Sequence, residues 1–95
     1  MRDYELTFIV RPETDETGLA AVEDKVKDFI GNSGGQVAQI EHWGRRQLAY
    51  PIKKIAEGQY VFMLVQLPAQ TPRELERQLQ LNEDVLRYLL IRKEE

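Results

Sequence analysis

Ninety-five residues, 42% of them apolar and 31% charged, make one soluble domain (1–95) with a single core and little apolar material to spare. The chain has no cysteine, which excludes disulfides, thiolate metal ligands and thiol catalysis, and no apolar run nears the roughly 20 residues that cross a membrane. Net charge is −3 but unevenly placed, with −4 over residues 1–35 and +1 over residues 36–95, so the chain alone is a poor ligand for a polyanion, whose non-specific affinity comes mainly from phosphate neutralisation.

Met1-Arg2-Asp3-Tyr4 opens directly into a strand pattern and does not read as a signal peptide, so a cytoplasmic protein is expected. From Asp3 to Arg11, Leu6, Phe8 and Val10 point one way and Glu5, Thr7 and Ile9 the other. Pro12 ends this strand, and Thr14 or Asp15 can cap a helix after it. Leu19, Val22, Val26, Phe29 and Ile30 recur at helical spacing and form its apolar stripe. Glu23, Asp24, Lys25, Lys27 and Asp28 are expected on its outer face. Gly31-Asn32-Ser33-Gly34-Gly35 stops the helix, because glycine and asparagine accept left-handed geometry.

Gln36 to Ile52 reads as one long extended segment. Ile40 falls out of phase with Val37, which implies a bulge, and Gly44 is its natural place. Pro51 cannot donate a ladder hydrogen bond and puts this strand at a sheet edge. Ile55-Ala56-Glu57-Gly58 is the expected turn, and Gln59 to Leu67 is the strongest strand, closed by Pro68. Thr71-Pro72-Arg73-Glu74 has the form of a capping box with proline at the first helical position. Leu75 and Leu79 supply the buried face of this second helix, and Asn82-Glu83-Asp84 turns the chain into a last strand, Val85 to Arg92.

The order strand, helix, strand, strand, helix, strand predicts an α+β fold. Its simplest closed form is the split βαβ, ferredoxin-like sandwich: a four-stranded antiparallel sheet in order 4-1-3-2 with two helices on one face. The uncovered face of such a sheet should be polar. Here Phe62, Leu64, Leu89, Ile91 and Ile9 fall on it, a contiguous apolar surface of the kind that marks a protein interface. Central strands that tolerate apolar residues on both faces are the plainer explanation. A base-stacking platform is a third, resting on Phe62 alone and without the glycine–aromatic signature of such domains.

Catalytic chemistry finds no constellation. His42 is the single histidine, with no second histidine or cysteine at metal-ligand spacing. Asp15-Glu16 and Glu23-Asp24 are adjacent on a helix and diverge. Gly31, Gly34 and Gly35 follow a helix instead of opening one, so they do not form a phosphate loop. A non-enzyme with no metal, cofactor or small-molecule substrate is expected.

Gly44 to Lys54 (Gly-Arg-Arg-Gln-Leu-Ala-Tyr-Pro-Ile-Lys-Lys) holds four of the thirteen basic residues and no acid. Arg45 and Arg46 point to opposite faces of an extended chain. Such a strip either meets something anionic or guards a sheet edge against stray pairing, and the two roles are compatible. This run resembles the signature of the family of the sixth protein of the bacterial small ribosomal subunit. Arg2-x-Tyr4-Glu5, Pro12 and Gly58-x-Tyr60 support the resemblance, which covers essentially the whole chain in register.

The resemblance implies a ferredoxin-like fold and a primary binder of the central domain (platform) of small-subunit ribosomal RNA, acting as a heterodimer with the eighteenth small-subunit protein. It implies no membrane partner. Carried onto matching positions, Glu41, His42 and Arg46 face the protein partner, with Tyr50 beside them and Phe62, Leu64, Leu89 and Ile91 from the apolar face. Arg2, Lys53 and Lys54 are the RNA candidates, with Arg45 from the basic strip and Arg87 and Arg92 as further ones. The sequence departs from the family at Gln47, where a second arginine is common, and it stops at Glu94-Glu95, where many relatives continue into a flexible tail. The rival functions are a homodimeric regulatory domain of ferredoxin-like type and an autonomous RNA-stacking domain.

Overall fold

The alternation of Leu6, Phe8 and Val10 against Glu5 and Thr7 leaves the first strand one dry side, and the rest of the fold is arranged around it. A computed structural model describes residues 1–52 and 54–93, with Pro51 and Ile52 described by their backbone alone. The elements are β1 (Arg2–Val10), α1 (Glu16–Asn32), β2 (Gln36–Ile52), β3 (Ile55–Leu67), α2 (Thr71–Leu81) and β4 (Val85–Arg92). The strands form one sheet in the order β2-β3-β1-β4, all pairs antiparallel. This is the expected ferredoxin-like arrangement, with β2 and β4 at the edges.

Leu6, Phe8 and Val10 of β1 and Val61, Met63, Val65 and Leu67 of β3 are fully buried under the helices. Val22, Val26 and Ile30 of α1 and Leu75 and Leu79 of α2 close over them. Asp15 caps α1, its carboxylate accepting from the Gly18 amide at 2.8 Å. After α1, Gly34 takes φ +89, and the Gly35 amide reaches back to the Ile30 carbonyl at 2.9 Å. A side chain at Gly35 would stand 2.4 Å from the Gln66 carbonyl, so only glycine lets the chain enter the sheet there.

Four local expectations are corrected. The register of β2 against β3 shifts between Val37 and Gln39 as well as between His42 and Gly44. The earlier shift, at Ala38, is the one that brings Val37 and Ile40 onto the same side; the later one sits where Gly44 (φ +77) was expected to bulge. The turn does not lie at Ile55–Gly58, which is already strand: Ile52 pairs with Ile55, and Lys54 carries φ 71. Thr71 does not act as a side-chain cap; the cap position is Gln70, which makes no side-chain bond, and Thr71 is buried inside the first turn. Glu23 is not on the outer face of α1 but is buried, with its carboxylate against His42.

Candidate docking face

The uncovered side of the sheet carries the odd-numbered residues of β1 and the partners they face. Glu5 stands between Leu64 and Ile91, Thr7 between Phe62 and Leu89, and Ile9 between Tyr60 and Arg87. Leu89 is 57% exposed and Ile91 47%, the two large apolar side chains most open to solvent on β4. Ile9 belongs to the same side yet is 9% exposed. It sits in space that Gly58 leaves open: a Cβ on Gly58 would come 2.2 Å from the Ile9 methyl. Ile9 therefore supports this face from within and adds little free surface.

The β2 edge completes the face through its second bulge. The extra residue is Trp43, and the bulge lays its ring flat on Phe62, with centroids 5.2 Å apart and planes within 7°. The Arg46 guanidinium lies over the ring, 5.3 Å from its centroid. The indole N–H donates to the Glu41 carboxylate at 3.2 Å, and the Gln39 amide donates to the other oxygen of Glu41 at 2.5 Å. Trp43 is the residue that sequence reasoning passed over. Its signal was legible in principle, since Gly44 marked the bulge and Phe62 the stacking partner.

Of the residues assigned to a protein partner, Glu41, Arg46, Phe62, Leu64, Leu89 and Ile91 share this side. His42 does not. It pairs with Val61, on the helix side, and its Nε2 meets Glu23 Oε1. Tyr50 is 71% exposed on the part of β2 beyond Gln47. β1 pairs with β3 only as far as Gln59, so the hairpin beyond Gly58 projects past β1 as a two-stranded arm.

The residues assigned to RNA are not brought together. Arg2 and Arg92 lie at the end of the sheet where Tyr4 pairs with Arg92. Lys54 is at the tip of the β2–β3 hairpin, beyond the opposite end of β1, a strand that alone spans about 27 Å. Arg87 lies on the uncovered side near the hairpin end. Arg45 points to the helix side and donates to the Pro12 carbonyl at 2.8 Å. Beside it, the Gln59 amide donates to the carbonyls of Arg11 and Thr14 at 3.0 and 2.8 Å, so this pair straps the β1–α1 loop to the sheet. Lys53 lies outside the described residues. Among the described residues no three carboxylates or imidazoles converge as a metal site, and no helix is long and apolar enough to cross a membrane.

The family model described as Ribosomal protein S6 matches residues 3–92. The chain belongs to the ribosomal protein S6 family. Members are structural proteins of the small ribosomal subunit. Among relatives, the small ribosomal subunit protein bS6 of Clostridium botulinum (strain Loch Maree) is 42% identical over 99% of this chain and 100% of its own length. The bS6 protein of Carboxydothermus hydrogenoformans is 39% identical over 99% and 98%. The crystal structure of 30S ribosomal protein S6 from Thermotoga maritima superposes with a TM-score of 0.90 at 30% identity, covering 97% of this chain and 87% of that one. The C-terminal domain of MgtC from Mycobacterium tuberculosis matches with a TM-score of 0.61 at 18% identity, over 100% and 90% of the two chains, and shares the fold alone.

Proposed function

We propose that this S6-family chain binds the central domain of small-subunit ribosomal RNA as one half of a heterodimer with the eighteenth small-subunit protein. The uncovered sheet face takes the protein partner, and the cations at the two ends of the sheet touch phosphate. The observation that carries this reading is the apolar face itself, on a chain whose net charge is −3. An acidic subunit with dispersed cations holds a folded RNA poorly. A basic partner docked on the face supplies most of the phosphate contacts, while this chain contributes shape and a few charges.

The test is a mixing experiment with this protein, the eighteenth protein and a central-domain RNA fragment, singly and together. The expected result is weak RNA binding by this chain alone and strong, salt-sensitive binding once the partner is added. Equal affinity with and without the partner overturns the reading. A concentration-dependent dimer that tightens with a small ligand favours the regulatory-domain alternative. Replacing Lys53 and Lys54 together by alanine is expected to lower the salt slope of complex formation by roughly 1 for each phosphate that the two lysines neutralise. An unchanged slope shows that neither lysine touches phosphate.

A further inference from the structure

We propose that Trp43 is the energetic anchor of the docking face, and that the partner's matching segment is apolar with a cation beside it. This rests on the reading that the uncovered face takes a protein. Affinity in protein interfaces concentrates in a few large, well-packed residues, tryptophan foremost, near the centre of the buried patch. Trp43 is large and well packed before any partner arrives, its ring carried from the edge strand onto Phe62 of the central strand β3. Phe62 stacks on its ring at 5.2 Å, the Arg46 guanidinium lies over the ring at 5.3 Å, and Glu41 holds its N–H at 3.2 Å. Even so, 37% of the residue remains exposed. A side chain already fixed in one rotamer loses little freedom on binding, so its contact area converts to affinity with less entropic cost.

The charges around the anchor indicate what covers it. Asp3, Glu5 and Glu41 share the uncovered side, and Asp3 and Glu5 occupy the end of β1 away from Arg46 and Arg87. Lys93, whose amide donates to the Asp3 carbonyl, stands beside Asp3, so the acidic part of the face is Glu5 and Glu41, with Arg46 and Arg87 toward the other end and Phe62, Leu64, Leu89 and Ile91 among them. A basic segment with an apolar residue matches it in one direction, with its cation against Glu5 and Glu41. The reverse direction sets that cation against Arg46 and Arg87.

Trp43 is the only tryptophan of the chain, which makes it its own reporter. The experiment titrates the wild-type protein, Trp43→Ala and Trp43→Phe with the eighteenth protein in a tryptophan-free form, reading both affinity and tryptophan emission. The expected results are a blue shift of the wild-type emission at saturation, a loss of about 30-fold or more in affinity for Trp43→Ala, and a smaller loss for Trp43→Phe. Trp43→Ala binding within about threefold of wild type while Leu89→Lys abolishes binding overturns the anchor and leaves the docking face standing. An emission that does not move at saturation overturns the anchor without relying on any variant's folding. No binding by the wild type overturns the anchor together with the reading it rests on. Capture of single-stranded RNA by the isolated protein, lost in Trp43→Ala, overturns it in favour of base stacking.

Discussion

The two sides of this sheet are made by the same strands and are both rich in apolar residues, yet they differ in how they are covered. On the helix side Leu6, Phe8, Val61 and Met63 are sealed, and each meets neighbours from several elements. On the other side Phe62, Leu64, Leu89 and Ile91 stand over open surface, with acids and arginines among them. Apolar character alone therefore does not mark a core; the cover does. The largest test of this contrast is Phe8→Ala. Phe8 is wholly buried between Val61 and Tyr88, and its truncation is expected to cost about 3–5 kcal/mol in chemical denaturation. A cost below about 1 kcal/mol at this position would remove the distinction between the two sides.

Ile9 and Gly58 sharpen the comparison because they breach it. Ile9 lies on the uncovered side but is buried, using the space that a side chain at Gly58 would fill. Gly58→Ala places a methyl 2.2 Å from the Ile9 methyl and 3.4 Å from the Val10 carbonyl. The branched Ile9 side chain must move, and its directly opposed neighbours, Tyr60 and Arg87, restrict where it can go. The expected cost is about 1–3 kcal/mol, read as a lowered denaturation midpoint. Little or no loss would mean that this end of the face is soft enough to repack.

Glu23 and His42 form the helix-side counterpart of the Glu41–Trp43 contact. The first joins α1 to the edge strand, and the second lies within that strand on the opposite side. Glu23 is buried while His42 is mostly exposed, so removing the carboxylate unties the edge strand without emptying a core position. Glu23→Ala is expected to cost about 1 kcal/mol, with faster amide exchange along Ile40 to Gly44. Unchanged exchange there would show that the ladder to β3 holds the strand by itself.

The fold was legible in the sequence because β1 alternates, β3 and β4 are dense apolar runs set between turn signals, and each helix has its stripe. The pattern misleads at places where the chain leaves the regular period. Two bulges in β2 reset the alternation, and each moves every later side chain to the other side. Adjacent residues alternate, so His42 stands apart from Glu41, and the bulge at Trp43 then carries Arg46 back to the side of Glu41. The signals that could have pointed to Trp43 were Gly44 and Phe62. Glu23 reads as an outer residue because a carboxylate on a helix is usually solvated; its partner lies nineteen residues away on another element, beyond the reach of local spacing. The RNA candidates are scattered for a related reason. A basic run in sequence is divided by the pleat, so Arg45 turns to the β1–α1 loop while Arg46 turns to Trp43.

The smallest expected effect is on the stability of the free protein when the docking face is made polar. In Leu89→Thr an exposed leucine on edge strand β4 gives way to a β-branched residue that suits a strand. Its opposite neighbour on β1 is Thr7, so the new hydroxyl meets a polar partner and solvent, and no cavity forms. The denaturation midpoint should stay within about 0.5 kcal/mol of wild type, while capture of the eighteenth protein weakens. If instead the free protein loses as much as Gly58→Ala does, the exposed leucine is holding the sheet together. The uncovered side would then be a second, thinly covered core, and its apolar residues would call for no partner.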